Sequence, residues 1–209
     1  MKTDDLIRAL AADAAPAPAP ARRVLPLFLP AILVSVVAVL TVLGARPDLP
    51  QAMVSFVPVM RHVLSLAVFA AALAAALHLT RPEGRAALWP LALIAAAALA
   101  LFLWAYLTTP PEARMMALMG KTNSICLVAI PCLSALPTAA LFVALRGGAT
   151  TRPVLSGAVI GLAGGGAGAA VYAIHCTESS PLFYVTWYGV AILAVTAVSA
   201  LLGPRLLRW

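Results

Sequence analysis

Six long apolar segments are the feature that most constrains this chain. They lie at approximately residues 24–44, 57–79, 86–107, 125–145, 153–174 and 182–203. Each has about the 20 residues that an α-helix needs to cross the ~30 Å hydrocarbon core of a bilayer. Backbone polar groups find no water inside lipid, so spanning segments of this length fold as helices. The sequence therefore predicts an all-α polytopic membrane protein, a bundle of six transmembrane helices.

The charged residues support this interpretation and orient the bundle. They are only 10% of the chain, whereas a soluble domain carries about 25%. With the N-terminus in the cytoplasm, ten Lys and Arg residues lie on the cytoplasmic side and four on the other. This is the positive-inside pattern of a multi-pass membrane protein with both termini in the cytoplasm. The membrane thus accounts for the net charge of +7, and no direct nucleic-acid contact is predicted.

The first 23 residues, here called the leader, precede the membrane. Residues 1–14 are predicted to form a short cytoplasmic amphipathic helix. Its acidic first turn and apolar face are formed by Asp4, Asp5, Leu6, Ile7 and Leu10. Residues 15–23 begin with alternating Ala and Pro, which favours an extended linker to the membrane domain at 24–209. A helix this short is marginal alone in water, so its apolar face is expected to dock on a partner or rest on the bilayer.

The fifth apolar segment carries a ridge of small residues. Gly157, Gly161 and Gly165 recur every four residues, with Gly164 and Gly168 alongside. Small residues at this spacing let the backbone of another helix approach closely. We therefore predict that the fifth helix packs tightly against a neighbour.

Soft and ionisable side chains gather at the membrane edge opposite the leader. Cys126 begins the fourth segment and Cys176 follows the fifth, so antiparallel packing puts both at one depth. The two thiols can form a disulfide if their Cα atoms come within about 7 Å. They can also bind a transient soft metal ion such as copper or cadmium, with His175 as a third ligand. Glu178 is a second supporting residue, and the alternative for His175 is a hydrogen bond to Glu178 or to backbone.

Other residues near this edge are assigned structural roles. Cys132 lies deeper in its helix and is predicted to be a packing residue. An interfacial aromatic belt is predicted from Trp104, Tyr106, Tyr184, Trp187 and Tyr188. The methionines beyond the initiator are either soft ligands or flexible apolar filling. No nucleophile has a positioned base and orienting group, so an enzyme is not predicted.

Several motifs carry a resemblance to a known family. They are the opening KTDDLI at 2–7 with Leu10-Ala11, RPDL at 46–49, Cys126, the string HC-x-E-x-SP-x-F at 175–183, Trp187-Tyr188, and GPRLLRW at 203–209. On these residues the chain resembles the NrsF family of polytopic anti-sigma factors. The resemblance implies a partner, an extracytoplasmic-function (ECF) sigma factor of the sigma-F type, bound by an N-terminal cytoplasmic segment. It also implies that two thiols, here Cys126 and Cys176, respond to heavy-metal or oxidative stress.

These observations combine into a hypothesis of a two-state regulator. At rest, the helix of the leader holds the sigma factor through Asp4, Asp5 and the Leu6–Ile7–Leu10 face. Metal binding or oxidation at the thiol pair then releases it. A second hypothesis is a small inner-membrane transporter or efflux component that captures metal with its Cys, His and Met side chains. An integral oxidoreductase is the third, and the sequence leaves a homo-oligomer open.

Overall fold

The structure, a computed structural model, describes residues 3–13 and 20–207. Within these ranges the chain forms nine α-helices and no β-strand. They are α1 Thr3–Asp13, α2 Ala21–Ala38, α3 Leu49–Val54, α4 Phe56–His78, α5 Trp89–Thr108, α6 Pro111–Met119, α7 Asn123–Leu145, α8 Pro153–Tyr172 and α9 Pro181–Leu206. A π-helical turn at Val39–Leu43 extends α2.

Six helical segments of the described chain are long and apolar enough to cross a membrane, as the sequence predicts. They are Ala21–Leu43, Phe56–His78, Trp89–Thr108, Pro111–Leu145, Pro153–Tyr172 and Pro181–Leu206. The fourth is longer than predicted because α6 precedes α7. A sharp turn separates these two helices at Gly120, where φ is +56° and an added Cβ would lie 2.5 Å from the ring of Phe183. Only glycine fits such a turn without strain.

The short helices α3 and α6 are not predicted from the sequence. Each begins with a proline in its first turn, which is suited to a helix start because the missing N–H has no helical acceptor there. Their lengths of 6 and 9 residues are too small for a clear helical period.

α8 occupies the centre of the bundle, with α4, α7 and α9 packed around it. The predicted glycine ridge is present, and it faces more than one neighbour. Gly157 and Gly161 meet the backbone of α9, whereas Gly164 and Gly168 meet Thr138 and Ser134 of α7. A Cβ on Gly166 would lie 2.8 Å from the Ser65 carbonyl oxygen of α4. Glycine therefore allows three helices to approach α8 closely.

A proline inside α7 fixes the position of α2. Pro137 has no N–H to donate to the carbonyl of Leu133, four residues earlier. The buried hydroxyl of Ser35 on α2 donates to that carbonyl at 2.9 Å. The lost helical bond is thus replaced by one that joins two helices.

The connections lie at two ends of the bundle. At one end, here called the leader end, α2 begins, and the Ala149 N–H of the α7–α8 connection donates to the Thr80 carbonyl after α4 at 2.9 Å. At the other, the thiol end, the Arg46 N–H after α2 donates to the Ile174 carbonyl after α8 at 3.1 Å. The leader thus joins the bundle at the end opposite Cys126 and Cys176.

Candidate functional site

The two cysteines singled out in the sequence are neighbours at the thiol end. Cys126 lies in the first turn of α7 and Cys176 in the connection after α8, and their exposed fractions are 0% and 2%. Both are free thiols in one buried cluster, where Cys126 is a hydrogen-bonding neighbour of Cys176. The Cys126 sulfur also lies 3.4 Å from the Tyr172 hydroxyl. The structure thus provides a buried dithiol.

Aromatic rings surround this dithiol. Two of them belong to residues that were predicted to form the interfacial belt, and for these two the prediction is wrong. Tyr184 and Tyr188 are buried, with exposed fractions of 2% and 4%, whereas Trp104 and Tyr106 are exposed. The ring centroids of Tyr172 and Tyr188 lie 5.7 Å apart. The first turns of α9 face α7 and α8, and the sequence position of an aromatic residue does not reveal that orientation. Tyr184 and Tyr188 are therefore core residues.

Arg46 holds the backbone of Cys176 from the connection after α2. Its Nη1 donates to the Cys176 carbonyl at 3.1 Å, and its Nε and Nη2 donate to the two carboxylate oxygens of Asp48, each at 2.7 Å. This ion pair lowers the pKa of Asp48 and raises that of Arg46. The RPDL motif therefore positions the thiol connection.

Arg61 holds the same connection from α4. Its exposed fraction is 1%, its Nη1 donates to the Glu178 carbonyl at 2.7 Å, and its Nη2 donates to the Ala173 carbonyl at 3.1 Å. These carbonyls lie on either side of Cys176 along the chain. Arg61 is a lone Arg at the start of an apolar segment, which is a signal of function, but its contacts with the Cys176 connection could not be predicted from the sequence.

His175 and Glu178 form hydrogen bonds with neighbouring connections. The Nδ1 of His175 lies 2.9 Å from the Gly44 carbonyl oxygen, so its partner is backbone, and its ring lies 5.8 Å from that of Tyr172. A carboxylate oxygen of Glu178 accepts the Lys121 N–H at 2.8 Å. Both side chains link the Cys176 connection to other connections at the thiol end.

The charges around Cys176 favour its thiolate. The hydrogen bond with Cys126 and the Arg61 cation lower the pKa of the Cys176 thiol, against the effect of burial. A thiolate is the form that attacks a disulfide or binds a soft metal. The pair is thus equipped for oxidation to a disulfide.

Few side chains of the described residues are placed to bind a metal ion together. In the described part of the chain, no three His, Cys, Asp or Glu side chains converge as a metal centre would require. The two neighbouring sulfurs remain a donor pair of the soft type. Any soft-metal site here would start from Cys126 and Cys176.

Cys132 differs from its predicted role, because it is exposed on the outer surface of the bundle. It borders a groove between the end of α2 and α7. Six residues after Cys126, the helical rotation carries it away from the dithiol. The packing prediction for Cys132 is therefore wrong.

The leader is described only in part. Residues 3–13 form the predicted helix, with Asp4, Asp5 and Ile7 exposed. The side chains of Leu6 and Leu10, and most of the Ala-Pro segment, lie outside the described residues.

Comparison with known proteins gives a family match over almost the whole chain. The family model for "Negative regulator of sigma F" matches residues 10–209. The chain is 38% identical to the anti-sigma-F factor NrsF of Caulobacter vibrioides, over the full length of both chains. It is 33% identical to a probable anti-sigma-F factor NrsF of Azospira oryzae, also over full length. No solved structure matches the chain significantly.

Proposed function

Since the chain belongs to the NrsF family of negative regulators of sigma F, we propose that it is a membrane-embedded anti-sigma factor whose dithiol controls release of the sigma factor. A regulator of this class is not an enzyme. The observation that carries the proposal is the placement of the buried dithiol and the leader at opposite ends of one six-helix bundle. This placement suits a protein that detects a stimulus on one side of the inner membrane and responds on the other.

The leader is the proposed docking element for an ECF sigma factor. Asp4, Asp5 and Ile7 are exposed on α1, where they are available to a partner. An amphipathic helix of eleven residues gains most of its stability from the surface it docks on. Docking through Leu6, Ile7 and Leu10 accounts for the apolar residues on that helix. The segment between α1 and α2 would let it reach a cytoplasmic partner.

The dithiol is the proposed sensor, with His175 and Glu178 in supporting roles. Moving the bound fraction from 99% to 1% requires about 5.5 kcal/mol of preference for one state. A tight metal site contributes ~10 kcal/mol or more and can supply the whole preference, whereas closing a disulfide contributes roughly 2–4 kcal/mol and supplies a large part of it. Cys126 lies in the first turn of α7 and Cys176 in the connection after α8, so joining them would change the packing of these two helices, which contact each other.

One co-purification experiment tests both parts. The tagged protein is solubilised from membranes that also contain its sigma factor, and the retained sigma factor is measured with and without copper or diamide. Deleting residues 2–14 is expected to abolish retention with membrane insertion intact. The variant C126S/C176S is expected to retain the sigma factor and to lose release, whereas C132S behaves as wild type.

Two results would contradict the proposal. Normal retention by the deletion variant would exclude the leader as the docking element, and normal release from C126S/C176S would exclude the thiols as the sensor. Metal flux into proteoliposomes, without sigma retention, would favour the transporter hypothesis instead.

A further inference from the structure

A cavity of about 590 Å³ lies between α4, α5 and α9. This volume lies within the roughly 300–1,000 Å³ of typical ligand sites. Gly189 of α9 lines it, and a Cβ added there would meet no atom within 4 Å. α5 contributes a single buried residue to the bundle, Ala105. It is therefore the least tightly packed of the three helices that line the cavity. A ligand can therefore enter here with little disturbance of the core.

The polar groups of the cavity lie at its thiol end. Arg61 is in the second turn of α4, and Tyr184 and Tyr188 are in the first turns of α9. The rest of the lining is almost entirely apolar, and includes Leu99 and Phe102 of α5. An amphiphile, with a polar head group at one end and an apolar chain behind it, matches this separation of polar and apolar lining residues.

Three donors on these side chains lack acceptors. The Nε of Arg61 and the hydroxyls of Tyr184 and Tyr188 are buried and have no hydrogen-bond partner. Buried polar groups in folded proteins are normally hydrogen-bonded, so three unpartnered donors on adjacent helices are a sign of a missing acceptor. The two oxygens of a carboxylate have enough lone pairs to accept from all three.

The positive charge of Arg61 also favours a negatively charged ligand. The ion pair formed within residues 3–13 and 20–207 is that of Arg46 with Asp48, so Arg61 has no carboxylate within salt-bridge distance there, and the anion that its charge favours is the Cys176 thiolate. A charge away from water is stable only when it is paired or well hydrogen-bonded. The N–H groups of Arg61 that are bonded have neutral carbonyl acceptors. A negatively charged head group complements this site.

We propose that the cavity binds a free fatty acid from the bilayer. Its carboxylate accepts from the Arg61 Nε–H and the Tyr184 hydroxyl, and its chain lies between α4, α5 and α9. A single acyl chain is favoured over a two-chain phospholipid by the size of the cavity. Arg61 also holds the carbonyls on both sides of Cys176, so a bound fatty acid would share an anchor with the dithiol.

Photolabelling of the purified, full-length protein in phosphatidylcholine nanodiscs tests the proposal. The probe is a 16-carbon fatty acid carrying a diazirine, and labelled peptides are identified by mass spectrometry. Labels are expected on the cavity-lining residues of α5 and α9. Palmitate is expected to compete, whereas its methyl ester, which lacks the charge, is not.

Two variants and a matched control locate the site. Gly189→Leu fills the cavity and is expected to reduce labelling at least tenfold. Ala197→Leu adds the same side chain at an exposed position of α9 outside the cavity, and is expected to leave labelling unchanged. Tyr184→Phe removes an unpartnered hydroxyl, so thermal stability is preserved while the affinity for palmitate falls about tenfold, as expected for a lost bond to a charged acceptor.

Three outcomes would overturn the proposal. They are equal labelling of Gly189→Leu and wild type, equal competition by palmitate and its ester, and labelling that follows the bulk lipid alone. Stronger competition by a short-chain quinone than by palmitate would also overturn it, in favour of a neutral acceptor. Sigma retention is not measured, so failure here leaves the regulatory proposal intact.

Discussion

The two thiols of the pair are held in different ways. Cys126 is fixed by its place in the first turn of α7, where its backbone N–H donates to the Thr122 carbonyl at 3.0 Å. Cys176 is fixed through backbone carbonyls that Arg46 and Arg61 bind. Since both sulfurs are already neighbours, oxidation needs only a small local movement.

Oxidation should therefore select one pair among the three cysteines. Treating the purified protein with diamide is expected to form a Cys126–Cys176 disulfide and to leave Cys132 free, because Cys132 lies on the outer surface. The number of thiols that react with a maleimide mass tag after denaturation should fall from three to one. In Cys132→Ser it should fall from two to zero. A disulfide that includes Cys132 would contradict the observed geometry.

The ion pair of Arg46 with Asp48 predicts a pH dependence. The folded-state pKa of Asp48 is lowered by Arg46, so the ionised carboxylate stabilises the folded thiol end above its unfolded value of about 3.9. This contribution is lost as the pH falls through the folded-state value. Thermal unfolding of wild type and Asp48→Asn should differ by a constant amount from pH 5 to 7, and the difference should shrink below about pH 4. A difference independent of pH would exclude the ionised pair as its source.

The sequence predicted the thiol pair better than its surroundings. Cys126 and Cys176 could be placed together because antiparallel packing of consecutive helices brings the start of one and the end of the next to one depth. Tyr184 and Tyr188 were assigned to the wrong environment, since their burial depends on which helices face α9. The hydrogen bonds of Arg61 join α4 to a connection more than a hundred residues away, and local sequence carries no record of such a contact.

Among the helices, α8 has the least conventional packing. Its glycines replace the layer of side chains that normally separates two helices, on the faces toward α4, α7 and α9. The four-residue glycine spacing was visible in the sequence and correctly indicated close packing. The number of helices that pack against α8 could not be predicted, because the same glycine spacing is compatible with one neighbouring helix or with several.

This packing predicts opposite effects for two glycine-to-alanine changes. In Gly166→Ala the new Cβ would lie 2.8 Å from backbone atoms of α4, so overpacking should cost about 1–3 kcal/mol. In Gly189→Ala the Cβ meets open space, and the better helix propensity of alanine should stabilise by up to ~1 kcal/mol. Unfolding in mixed micelles measures both. A harmless Gly166→Ala would show that α4 does not approach α8 this closely.

Taken as a whole, the molecule separates a basic end from a thiol end. Arg22, Arg23, Arg81, Arg146 and Arg152 lie near the leader end. The positive-inside rule then predicts that the leader lies in the cytoplasm and the dithiol at the opposite face.

Site-specific labelling checks this orientation in intact cells. In a background without native cysteines, Ser179→Cys is at the thiol end and Thr151→Cys at the leader end, and both positions are exposed. A membrane-impermeant maleimide applied from the periplasm should modify Ser179→Cys at once and Thr151→Cys only after the membrane is permeabilised. The reverse pattern would invert the orientation, and sensing and docking would then exchange compartments.

The glycine-lined surface of α8 also bears on how the protein is made. Its hydropathy of 1.7 is the lowest of the six candidate spans, and the glycine surface that packs on α9 lacks its partner until the last helix arrives. During synthesis on the ribosome, α8 must therefore wait for α9 before it reaches its final environment. A chain that stops after α8 would present an unsealed surface to the quality-control proteases of the membrane, and biogenesis of the regulator would be complete only at the last helix.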